Sequence, residues 1–152
     1  FRIEHLQHVS SAAVVKKVAD IKAIVSPQPL HMAADRELAL ERLGQGRATR
    51  SYPFRSLKKA GVSLAMGSDW TVAPLDALTG MQAAYLRHHP DDPNPERWVP
   101  EEAISLEDAL RGYTEGAAYA AFREKDIGVL EPEHYADFAV LTEDPLMPSP
   151  IG

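Results

Sequence analysis

The chain has 152 residues, 45% hydrophobic and 25% charged, with a formal net charge of −6, the size and make-up of about one globular domain. Its 16 lysines and arginines are scattered, which excludes the basic stripe of a nucleic-acid binder. There is no cysteine, so disulfide frameworks and thiolate metal sites are excluded, and any metal must be held by histidine and carboxylate.

No apolar run reaches membrane-spanning length and no signal peptide opens the chain. The expectation is therefore a soluble, cytoplasmic protein with neither membrane nor nucleic acid as partner. Phe1 opens directly in a strand-like run, and residues 144–152 are punctuated by prolines. Both ends are expected to be cut from a longer protein.

Strand and helix patterns alternate along the first half. Phe1 to His5 alternates as a short strand, and Ser10 or Ser11 can cap a helix reaching Asp20 with Val14, Val15 and Val18 on one face. Lys22 to Ser26 reads as a second strand stopped by Pro27 and Pro29. Asp35 opens a helical stretch, with Leu38 and Leu43 inward, that ends at the glycines at 44 and 46. Pro53 suits the start of a helix carrying Phe54 and Leu57 and stopped by Gly61. Val62 to Gly67 forms the third strand. Strands separated by helices must run parallel.

The pattern then changes. Leu75 to Leu86 reads as an amphipathic helix with Leu78, Met81 and Tyr85 as its stripe, and the prolines at 90, 93 and 95 make residues 88–95 a loop. Ser105 caps a long helix, Leu106 to Phe122, whose apolar face includes Leu106, Leu110, Tyr113, Ala117 and Ala121. Ala136 to Leu141 alternates weakly and reads as a strand.

Two residues stand where parallel α/β folds gather their chemistry, at the carboxyl ends of strands. His5 closes the first strand and Asp69 follows the third. Alternation places Ile3 with His5, and Ala65 and Gly67 with Asp69, and small residues below Asp69 leave room in a barrel interior. An imidazole and a carboxylate converging from different strands suit a divalent cation such as zinc. The plainer reading of each, a bonded histidine and a helix-capping aspartate, stays open at this point. His31, Trp70, Arg47 and Arg50 could touch substrate or simply be solvated or packed. His8 reads as a helix-start residue, and His88 and His89 as solvated.

Arg2-Ile3-Glu4-His5-Leu6-Gln7 resembles a segment of the amidohydrolase superfamily, in particular the amidohydrolase-3 group that includes N-substituted formamide deformylases. Ser26 to His31 resembles that group's next strand and loop, and Gly67-Ser68-Asp69-Trp70 its last barrel strand. Tyr113 to Ala118, Ile127 to Pro132 and Tyr135 to Leu141 resemble the closing helix and the return to a small β-domain. Glu133-His134 departs from the Gly-Lys often found there, in a turn that carries no chemistry.

The resemblance implies an α/β fold comprising the last three βα units, strands 6–8, of a TIM (β/α)8 barrel. Residues 1–126 would belong to the barrel, and residues 127–152 would return to a small β-sandwich domain. It also implies one or two divalent metals, most often zinc, and hydrolysis of an amide-type C–N bond by a metal-activated water. His5 then matches a histidine that is a metal ligand in two-metal members or a water and substrate contact in one-metal members. Asp69 matches a metal ligand that also takes the proton from the attacking water. His31 and Trp70 stay candidates for substrate binding from their places in the chain.

The family's His-x-His pair, bridging Lys or Glu, and remaining histidine have no match from Phe1 onward. By itself the chain is expected to bind metal incompletely and to be inactive. A non-catalytic α/β module and a different TIM-barrel metal hydrolase are the competing readings. The open sheet edges, and a face carrying Ile3, Ala23, Val25 and Ala65 expected to be bare, further imply a homo-oligomer.

Overall fold

The computed structural model describes residues 1–93 and 95–147. The expected 88–95 loop is thus described except at Asn94, and the proline-punctuated far end only through Met147.

Three short strands, β1 (Arg2–Glu4), β2 (Ile24–Ser26) and β3 (Ser63–Leu64), form one sheet in the order β1-β2-β3. Both pairings are parallel, with Ile3 opposite Val25 and Val25 opposite Leu64. Helical crossovers impose this arrangement, as the sequence pattern requires. The pairing continues past the strand ends. His5 donates its backbone N–H to Ser26 O at 2.8 Å, Ala65 to Val25 O at 2.8 Å and Gly67 to Pro27 O at 3.2 Å. The sheet therefore holds the segments that carry the candidate site.

The first crossover is α1 (Ala12–Asp20), which buries Val15 and Val18. Ser11 precedes it in extended backbone, but its side chain makes no capping bond. The second crossover comprises α2 (Pro29–Leu43), α3 (Gln45–Ala48) and α4 (Phe54–Lys59). Helix α2 begins at Pro29, six residues before the Asp35 start read from the sequence. The fixed φ of proline suits a first helical position, where no N–H is needed, so Pro29 starts a helix as well as stopping a strand. The early start buries Leu30, His31 and Met32, and Leu38 points outward with 53% exposure. In α4 the expected pair, Phe54 and Leu57, is buried.

Helix α5 (Ala77–Leu86) is capped by Asp76, whose carboxylate accepts from Thr79 N at 3.1 Å and from the Thr79 hydroxyl at 2.6 Å. These bonds to Thr79 hold the Asp76 carboxyl below its ordinary range. The buried face of α5 is Gly80, Met81, Ala83, Ala84 and Leu86 rather than the Leu78–Met81–Tyr85 stripe. Small residues let the helix approach its neighbours closely. A Cβ on Gly80 would lie 2.0 Å from the Tyr113 hydroxyl oxygen.

The expected 106–122 helix is continuous to Ala120 but not uniform. It runs as α6 (Leu106–Arg111), a π-helical turn (Gly112–Gly116) and α7 (Ala117–Ala120). The Gly112 carbonyl accepts from Met66 N at 2.9 Å, and a Cβ on Gly116 would stand 1.9 Å from Leu64 O. The wide turn thus docks onto β3 and the strand end leading to Asp69.

Two expectations are corrected. Residues 136–141 form no strand, and Phe138, Val140 and Leu141 are exposed. A strand needs a neighbour to take its backbone bonds, and among the described residues none pairs with this segment. The face expected to be bare is covered: Ala23, Val25 and Ala65 are buried, and Ile3 is half-buried. Val25 belongs to one core with Met66, Met81 and Ile104. Among the described residues no helix is long and apolar enough to cross a membrane.

Candidate metal centre

His5, His31 and Asp69 converge. Each offers one potential ligand atom, and those atoms all lie within 4.8 Å of one another. His5 follows β1, His31 lies in the first turn of α2, and Asp69 follows β3. Three separate elements therefore meet at the carboxyl end of one parallel sheet, where such folds place their ligands. The His5 and His31 rings stack with centroids 6.1 Å apart and planes at 23°.

His5 and Asp69 both have left-handed backbones, with φ of 68° and 54°. For residues with a Cβ this conformation is uncommon and concentrates at functional sites.

Gln28 sets the orientation of His5. Its Nε2 donates to Ser26 O at 3.0 Å, and its Oε1 lies 2.9 Å from His5 Nδ1. The amide oxygen accepts the Nδ1 proton, leaving the lone pair on Nε2. His31 is buried, and its Nε2 has no hydrogen-bond partner. A buried unpaired imidazole nitrogen is unfavourable unless something else fills its coordination. Asp69 is exposed and supplies the anionic oxygen. Two imidazoles and a carboxylate are the donors a hydrolytic zinc ion takes, so these residues fit a divalent cation.

The three line one cavity of about 490 Å3 with Gln7, Asp35 and His89. Asp35 lies one helical turn beyond His31 on α2. Its Oδ2 accepts from the Tyr52 hydroxyl at 2.5 Å and from Gln7 Nε2 at 3.3 Å. Burial first, and then the bond to Asp35, push the Tyr52 phenol far above its usual range.

Tyr52 is held in turn by Arg87, whose guanidinium donates to Tyr52 O at 3.1 Å and to Trp98 O at 2.9 Å. Burial pulls Arg87 down to about 10, so it stays charged at neutral pH. A larger cavity of about 620 Å3 lies between α1 and α4, but no histidine lines it.

The structure sorts the remaining sequence candidates. Trp70 is 64% exposed and does not line the site cavity. His8 bonds Ser51 Oγ through Nδ1 at 2.9 Å. His88, read from sequence as solvated, is buried and donates from Nδ1 to His89 O at 2.7 Å. The proline loop folds back here, so His89 reaches the cavity. Arg47 Nε donates to Leu43 O at 2.8 Å near the end of α2, and Arg50 lines the larger cavity.

Sequence reasoning missed Asp35 as a cavity residue and His31 as a partner of His5 and Asp69. The available signal for both was Pro29, since a helix starting there puts residues 31 and 35 on one face.

Comparison with known proteins places this fold in a class. A crystal structure of an uncharacterized metal-dependent hydrolase from Pyrococcus horikoshii OT3 superposes with a TM-score of 0.84 at 31% identity, over 95% of this chain and 29% of that one. The structure of atrazine chlorohydrolase TrzN from Arthrobacter aurescens TC1, complexed with zinc, gives 0.62 at 26% identity, over 90% and 26%. The fold is that of the metal-dependent hydrolases. The model of the amidohydrolase family Amidohydro_3 matches residues 1–149, and the chain belongs to that family.

Its relatives include LONG AFTER FAR-RED 3 of Arabidopsis thaliana, 38% identical over 93% of this chain and 24% of that protein. The putative amidohydrolase YtcJ of Bacillus subtilis strain 168 is 31% identical over 98% and 28%. The N-substituted formamide deformylase of Arthrobacter pascens is 32% identical over 62% and 17%. The chain spans about a quarter of the length of the first two relatives.

Proposed function

We propose that this chain is the C-terminal part of an amidohydrolase that cleaves an amide-type C–N bond with a water activated by a divalent cation, zinc being the best match. Residues 1–126 supply strands 6–8 of its barrel, and the residues from 127 onward lead towards a small β-domain. The carrying observation is the convergence of His5, His31 and Asp69 within 4.8 Å. The zinc in the TrzN structure and the name of the formamide deformylase support the choice of metal and bond.

A bound cation would supply Lewis acidity and lower the pKa of water towards neutrality. The chain's own residues do the rest. Gln28 holds the His5 ring so that Nε2 presents its lone pair, and the burial of His31 fixes a second nitrogen beside it. The Asp69 carboxylate, open to the cavity, takes a proton from the attacking water and passes it to the leaving amine. Trp70, exposed beside Asp69, is positioned to meet substrate at the rim only if the remainder of the protein folds over it. Self-association through the exposed edge of the sheet is a further part of this proposal.

The test uses the full-length protein that carries this chain. Purified with zinc, it should hold the metal after dialysis and hydrolyse members of a panel of N-formyl and N-acyl amines. Asp69→Asn should lower kcat by roughly 100- to 10,000-fold. Failure to retain any divalent cation would sink the proposal.

A further inference from the structure

The Asp35 carboxylate takes no part in the three-ligand group, yet it lines the same cavity. Its two hydrogen-bond donors, the Tyr52 hydroxyl and the Gln7 amide, are both neutral and both on Oδ2. Among the described residues no lysine, arginine or histidine forms an ion pair with it. Its charge is felt at His8, whose proton affinity it raises against a larger opposing effect of burial. A half-buried carboxylate that lines a cavity and has no cation paired with it is free to take one from a ligand.

Tyr52, the donor to Asp35, is itself fixed in place. Tyr52 is 1% exposed, Arg87 grips its carbonyl, and its N–H donates to Gln7 O at 2.5 Å.

We infer that Asp35 is a specificity-determining residue, its carboxylate receiving an ammonium or similar cationic N–H group carried by the substrate. This rests on the amidohydrolase reading for the reaction but not for the binding. One helical turn from His31, Asp35 addresses a part of the substrate distinct from the bond being cleaved. A hydrogen bond between charged groups should confer a preference of roughly 10- to 100-fold.

The test compares N-formylputrescine, a monocation, with its neutral isostere N-pentylformamide on the full-length protein. Wild type should favour the cation by roughly 10- to 100-fold in kcat/KM. Asp35→Asn keeps an acceptor for Tyr52 and Gln7 but removes the charge, and it should abolish the preference with the neutral compound little affected. Calorimetric titration of metal-free protein with the same two compounds reads binding without turnover and should show the same preference.

If neither compound is hydrolysed but the cation binds selectively through Asp35, the hydrolytic reading suffers and the specificity assignment stands. Equal binding and turnover of the two compounds, or a preference that survives Asp35→Asn, would overturn it. So would an Asp35→Asn variant that loses both compounds equally, because that is the signature of a purely structural residue.

Discussion

Gln28 Oε1 lies 2.9 Å from His5 Nδ1, and the opposite atom of the same amide is anchored to Ser26 O. One side chain thus ties the ring of a candidate ligand to the end of β2. Outer partners of this kind fix the tautomer and orientation of a metal-binding histidine, and removing them typically weakens metal affinity by about 10- to 100-fold. Gln28→Leu in the full-length protein should therefore weaken zinc binding by that factor, beyond the general loss of stability of about 1–3 kcal/mol expected from unpairing the His5 ring, which the unfolding midpoint of the metal-free form reads separately. Competition with a chromophoric chelator measures it, and unchanged affinity would show that His5 needs no such support.

His8 makes stability depend on mild acid. Burial lowers its pKa from the ordinary 6.5, and the nearby Asp35 only partly opposes this. The folded state thus favours the neutral ring, and between the folded value and 6.5 the unfolded chain binds more protons. The contribution is fully present above 6.5 and is lost as pH falls through the folded value. Denaturant midpoints between about pH 7 and pH 5 should fall more steeply in wild type than in His8→Gln. Parallel pH profiles would show that His8 contributes nothing to this acid sensitivity.

Two glycines should respond oppositely to alanine. A methyl on Gly116 would meet Leu64 O at 1.9 Å, and backbone on both sides leaves little room to yield. Gly116→Ala should destabilise by about 1–3 kcal/mol, as overpacking does. Gly46, inside α3, has nothing within 4 Å of its would-be Cβ. Gly46→Ala should be neutral or stabilising by up to about 1 kcal/mol. Thermal melts of the pair check the contrast, and equal shifts would mean that the π-turn does not pack on β3 as described.

The parts of this architecture that follow from periodicity were legible in the sequence. Alternation and strand-end position were enough to bring His5 and Asp69 to one end of a parallel sheet. His31 was harder, because Pro27 and Pro29 announce the end of a strand more loudly than the start of a helix. The π-turn was not legible, since Gly112 and Gly116 fit an ordinary helix and only their approach to Met66 and Leu64 distinguishes them. The strand expected at 136–141 depended on a pairing partner, which no local pattern can supply. The burial of His88 is not visible in the sequence, because proline density signals irregular backbone but not how that backbone packs.

His5, His31 and Asp69 are proposed to hold one cation. Anomalous scattering at the zinc edge, from crystals of the full-length protein grown with zinc, tests it directly. A peak is expected between the two imidazoles and the Asp69 carboxylate, within coordination distance of about 2.0–2.2 Å from at least two of the three. A well-occupied zinc bound elsewhere, with His31 Nε2 still unpartnered, would contradict it.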